Sequence, residues 1–125
     1  QVVKIHAKIV DMIVRQGVSP CDITVLIADA LHKEEYSSTP RQLPLPRPAV
    51  WQEDKGTVNE NTVGMDTVQR FKGLESPIVI LCGLDTVDLS KNPELLYVGM
   101  SRAKSLLIIV ANSETYDTIN SEMKA

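Results

Sequence analysis

The chain has 125 residues and a mass of 13.8 kDa, enough for one domain with its own core and not for two. Hydrophobic residues make up 43% and charged residues 23% of it, the mixture of a soluble globular protein. Its 13 Lys+Arg and 16 Asp+Glu give a formal net charge of −3, spread evenly along the sequence; this excludes a basic tail or arm that binds nucleic acid by bulk charge, while a small local basic site stays possible.

No apolar run approaches the ~20 residues of a membrane span, and the opening residues lack the pattern of a signal peptide. Cys21 and Cys82 can form neither a Cys-cluster zinc site nor a disulfide framework. The expectation is an intracellular, reduced protein, cytoplasmic or nuclear, with no membrane partner. A chain that opens on Gln is expected to be a piece of a longer one.

In chain order, the first element is a helix over 2–16, with Val2, Ile5, Ile9, Met12 and Ile13 on one stripe. Gly17 suits the left-handed position that ends it, and Pro20 follows. Ile23-Thr24-Val25-Leu26-Ile27 is a continuous β-branched run. Such a strand is apolar on both faces and must be covered on both, as in a central parallel sheet. Residues 36–50 carry Pro40, Pro44, Pro46 and Pro48 beside Ser37-Ser38-Thr39 and read as an extended connector, with Trp51 as its anchor. A weaker strand is predicted over 62–68, since Gly64 and Asp66 are poor strand residues. Pro77–Cys82 and Leu106–Val110 are two more core runs. Between them a helix over 93–104 would have Asn92 as N-cap and Pro93 at its first position. A last, weak helix covers 113–123.

Two segments could carry chemistry. In Thr67-Val68-Gln69-Arg70-Phe71-Lys72-Gly73-Leu74-Glu75 a strand ends, and two cations, a glycine and a carboxylate follow. In parallel sheets ligands gather at the C-terminal ends of strands. Arg70 and Lys72 could hold phosphates, Gly73 could admit a close approach, and Glu75 could accept from a hydroxyl; a solvated turn is the plainer alternative. In Glu94-Leu95-Leu96-Tyr97-Val98-Gly99-Met100-Ser101-Arg102-Ala103-Lys104, Arg102 sits among small and apolar neighbours, where a guanidinium seeks an anion or snorkels to water. Gly99 costs a helix about 1 kcal/mol relative to Ala, which close packing would explain. Cys82 reads as a small buried hydrophobe. His6 and His32 read as structural. Phe71 could stack on a base, with core packing the plainer alternative.

Taken in order, Thr67…Lys72-Gly73-Leu74-Glu75, the strand 78–82, Leu96-Tyr97-Val98-Gly99-Met100-Ser101-Arg102-Ala103 and the strand 106–110 resemble motifs V and VI of superfamily 1 helicases of the UvrD/Rep/PcrA type. The lead-in Val18-Ser19-Pro20-Cys21-Asp22 and the strand after it resemble the opening of that family's second motor domain. The resemblance implies an α/β fold, a RecA-like parallel sheet of the P-loop NTPase type flanked by helices, with residues 1–125 as one C-terminal motor domain. It implies a helicase or translocase that closes on ATP between this domain and an N-terminal motor domain of the same protein and moves along single-stranded nucleic acid, DNA ahead of RNA.

By that resemblance Arg102 is the catalytic finger toward the γ-phosphate, Glu75 binds the ribose, Gly73 and Lys72 line the phosphates, and Thr67, Gln69 and Arg70 face the nucleic-acid backbone. Gln69 stands where the family carries His, and Ile27-Ala28 where many members carry Tyr-Arg. The proline-rich stretch replaces the large insertion of long members, so the resemblance is to a short-armed variant. The chain has no G-x-x-x-x-G-K-[ST] loop and no paired-acid signature for Mg²⁺. ATP and Mg²⁺ are therefore expected to be held mainly by the N-terminal motor domain, no metal site is expected here, and no turnover is expected from this chain alone. The alternative at this point is a degenerate helicase-like module that binds nucleic acid or protein without turnover.

Overall fold

In the computed structural model, residues 2–29, 44–51, 59–71, 74–85, 87, 91 and 93–124 are described. Helix α1 (Val2–Val14) leads through a single 3-10 turn (Pro20–Asp22) into β1 (Ile23–Ile27). β2 (Val50–Trp51), β3 (Thr62–Thr67) and β4 (Ser76–Cys82) follow, then α2 (Pro93–Ser101), β5 (Ala103–Ile109) and α3 (Ser113–Lys124). The five strands form one sheet in the order β2-β3-β1-β4-β5, and each adjacent pair is parallel. This is the α/β, RecA-like arrangement expected above.

The sheet is covered on both faces because its central strands are apolar on both. Ile23, Val25 and Ile27 of β1 and Ile80 and Cys82 of β4 pack with Val63 and Met65 of β3 under Ile5, Ile9 and Met12 of α1. Leu26, Val79 and Leu81 point the other way, against Leu96 of α2 and Ile119 of α3. All five β1 residues are buried, as a strand with a parallel neighbour on each side requires. α1 ends at Val14, two residues before the predicted end, and Gly17 takes the left-handed conformation at φ 66°.

Several expectations are corrected. The weaker strand predicted over 62–68 is present as β3, one residue shorter; it lies between β2 and β1, and its hydrogen-bonded neighbours compensate for Gly64 and Asp66. β5 starts at Ala103 rather than Leu106 and is the outermost strand beside β4 among the described residues, with Leu106 44% exposed. β4 starts at Ser76, and its register against β5 shifts between Ser76 and Ile78. Pro77 has no N–H to donate to a ladder, so a shift falls there naturally. The helix predicted over 93–104 ends at Ser101, because the Arg102 carbonyl is taken by the Ser76 N–H at 2.9 Å and Ala103 pairs with Ser76.

β2 was not expected. It pairs Val50 with Thr62 and Trp51 with Val63, and half-buried Trp51 packs on the α1 face together with Leu45. Of the proline-rich stretch, 36–43 lie outside the described residues, as do His32 and the N-cap Asn92. Its end is tied to α1, where His6 Nε2 bonds the Pro44 carbonyl at 2.7 Å. α3 is capped one residue earlier than its Ser113 opening, by Asn112, whose side-chain oxygen accepts from Thr115 N at 2.8 Å. Among the described residues no helix is long and apolar enough to cross a membrane.

Candidate functional site

Thr67 and Glu75 lie at opposite edges of the sheet. β3 ends at Thr67, and the next parallel strand starts at Ser76, so these two residues sit at opposite ends of parallel strands. With a rise of about 3.3 Å per residue, the two edges of a six- or seven-residue strand lie roughly 20 Å apart. Glu75 therefore does not share an edge with Thr67, Gln69 and Arg70. It lies at the N-terminal edge, opposite the strand ends where ligands usually gather. Lys72 and Gly73 lie outside the described residues.

At the N-terminal edge, Glu75 meets Arg102. Ser76 pairs with Ala103, so the residues just before them are neighbours across one strand spacing, about 5 Å. The Arg102 side chain also clasps the same segment, donating from Nη1 to the Leu74 carbonyl at 3.3 Å. Its Nε and Nη2 donate to Ser101 Oγ at 3.3 and 3.0 Å. Arg102 is half-buried, and among the described residues it has no carboxylate partner. Glu75 is exposed and faces Lys104 Nζ at 3.9 Å, a pair that water screens heavily. Beneath them Thr24 Oγ1 donates to Ser76 Oγ at 3.0 Å, and Ser76 Oγ bonds the Asp22 carbonyl at 3.1 Å. These buried hydroxyls fasten the start of β4 to the start of β1.

At the C-terminal edge the chain turns in one helical step, with Phe71 N donating to the Thr67 carbonyl at 3.0 Å. Thr67 is buried, and its hydroxyl accepts from Arg70 N at 3.2 Å, so it builds the turn that presents Gln69 and Arg70. Both are exposed. Arg70 Nε lies 3.5 Å from Asp66 Oδ1. Gln69 and Val68 line a groove of about 240 Å³ with Glu94, Leu95 and Val98 of α2. Phe71 packs against the core on the α2 face.

α2 joins the two edges, and Gly99 allows its close approach. A Cβ at Gly99 would lie 2.9 Å from Leu81 Cδ1 and 3.1 Å from Cδ2. The cost of a glycine in this helix is thus the condition for seating it directly on β4. Ile27 and Ala28, where the Tyr-Arg pair is absent, are fully buried and offer neither a ring nor a guanidinium. Cys82 is buried, and desolvation, reinforced by Asp85, pushes its thiol up to about 12. Among the described residues no three His, Cys, Asp or Glu side chains come together in a way that could hold a metal ion.

Reading the residues alone missed the hydroxyls of Ser101, Thr24 and Ser76 and the approach of Lys104 to Glu75. Ser101 was open to view as the residue just before Arg102; the Thr24–Ser76 bond joins strands far apart in sequence and left no local signal.

A comparison with curated proteins finds no match. Residues 63–110 match the family model of the UvrD-like helicase C-terminal domain. That span runs from β3 through β5 and contains both segments described above. The stretch that carries both edges of the candidate site therefore matches a UvrD-like helicase C-terminal domain, and this match supports a function of the helicase type.

Proposed function

We propose that this domain is the second motor half of an ATP-dependent helicase or translocase. Its N-terminal edge closes the nucleotide cleft of a partner motor domain, and its C-terminal edge contacts single-stranded nucleic acid, DNA ahead of RNA. The observation that carries the reading is the half-buried Arg102 guanidinium, held beside Glu75 by a carbonyl and a hydroxyl and by no anion among the described residues. A guanidinium so placed gains most when charge develops on a transferring phosphoryl group, an effect worth about 10³–10⁵ in rate, or roughly 4–7 kcal/mol of barrier. Glu75 supplies acceptors for ribose hydroxyls, with Lys72 and Gly73 toward the phosphates. ATP and Mg²⁺ are held mainly by the N-terminal motor domain. Thr67 shapes the turn from which Gln69 and Arg70 reach the nucleic-acid backbone.

The test is Arg102→Ala in the full-length protein, with ATP turnover measured in the presence of oligo-dT. Turnover is expected to fall at least about 10³-fold with ATP affinity retained. Wild-type turnover in this variant overturns the reading. A second reading, a helicase-like module that binds without turnover, is favoured by the burial of Ile27 and Ala28. No turnover from the wild-type full-length protein would select it.

A further inference from the structure

We propose that Ser101 is a positioning residue that sets the angle of the Arg102 guanidinium. This role rests on the nucleotide-site reading above and deepens it.

Ser101 closes α2, and its hydroxyl donates to the Val98 carbonyl at 2.9 Å. That bond satisfies one of the carbonyls a helix end leaves without a partner and fixes the hydroxyl rotor. With the hydrogen spent, Oγ can only accept. It accepts from Arg102 at two points, Nε at 3.3 Å and Nη2 at 3.0 Å. Two donors on one oxygen fix the guanidinium plane as a single bond would not. The Leu74 carbonyl takes the opposite terminal nitrogen, Nη1, at 3.3 Å.

A guanidinium carries five N–H donors, one on Nε and two on each terminal nitrogen. These contacts use the Nε donor and one on each terminal nitrogen. One donor remains on Nη1 and one on Nη2, and both are open to phosphate oxygens. Ser101 thus restrains the plane of the group without consuming the donors a phosphate needs. The restraint acts where Arg102 acts, in the transition state, so it belongs to kcat rather than to nucleotide affinity.

The test uses the full-length protein with ATP and oligo-dT. Ser101→Ala is expected to lower kcat about tenfold, within the range for a misplaced catalytic group, with KM for ATP changed less than about twofold. Ser101→Thr, which keeps the hydroxyl, is expected to restore kcat. In the Arg102→Ala background, Ser101→Ala is expected to change residual turnover no further. Wild-type kcat in Ser101→Ala, or an equal loss with and without Arg102, overturns the positioning role. Wild-type turnover in Arg102→Ala instead overturns the nucleotide-site reading, and the positioning role falls with it.

Discussion

The Ser76 N–H donates to the Arg102 carbonyl at 2.9 Å, which makes the residue after Glu75 a direct partner of the arginine. Two motifs more than 20 positions apart in the chain thereby become one edge of one sheet. Neither motif has this geometry alone. Glu75 is carried by the start of β4, Arg102 by the turn into β5, and their separation is set by the spacing of two parallel strands.

The hydroxyl pair beneath that edge should matter for stability. Ser76→Ala leaves the buried Thr24 hydroxyl without its acceptor, at a cost of about 1–3 kcal/mol. Thr24→Val removes a donor and costs less, because Ser76 Oγ keeps the Asp22 carbonyl. The double variant should be more stable than the sum of the single losses predicts, by on the order of 1 kcal/mol. Urea unfolding of the four proteins measures this; strict additivity contradicts the bond.

Gly99→Val should destabilise the domain by about 1–3 kcal/mol through overpacking, because the first carbon of the new side chain already meets fully buried Leu81. The companion variant Leu81→Ala/Gly99→Val opens space at the contact and should recover part of what the two single changes lose together. A melting curve for Gly99→Val that matches wild type would show that α2 does not sit as close to β4 as described.

Cys82 predicts a stability loss on the alkaline side. The unfolded thiol ionises near 9.0 and the folded one at about 12. Below the lower value both states keep the proton, and this group changes nothing. Between the two only the unfolded state releases it, so stability falls as pH rises, by up to about 1.4 kcal/mol per pH unit. Cys82→Val should flatten the wild-type curve above pH 9. Thiol titration offers a second check: exposed Cys21 should react in the native protein and Cys82 only after unfolding. Equal reaction rates would refute the burial.

Arg70→Ala should weaken binding to oligo-dT and reduce the steepness of its salt dependence by about 0.7, the value for one phosphate contact on a single strand. Asp66→Asn removes the carboxylate that Arg70 now faces. The pair joins an exposed arginine to a half-buried carboxylate and is worth about 1 kcal/mol, so binding should tighten by about fivefold at most, with the salt slope kept. A salt slope unchanged in Arg70→Ala counts against a phosphate contact there.

Much of this protein was settled by its local sequence. The runs at 23–27 and 77–82 became central strands because a segment apolar on both faces has few other places to go. Gly17 ended α1 in the left-handed conformation, as its missing Cβ permits. The order of the two motifs was legible for the same reason: it is written along the chain.

Other features were decided only when distant segments met. Nothing local distinguishes Leu106–Val110, which lies at the edge of the sheet formed by the described residues, from Ile23–Ile27, which lies at its centre, since a strand's place is set by which strands pair with it. Val50 and Trp51 became a strand only by pairing with β3. Arg102 left the helix its neighbours favoured because Ser76 captured its carbonyl. Side-chain patterns report on which face is buried. Backbone hydrogen bonds between strands carry no residue code, so strand order, sheet edges and the meeting of Glu75 with Arg102 belong to the tertiary structure alone.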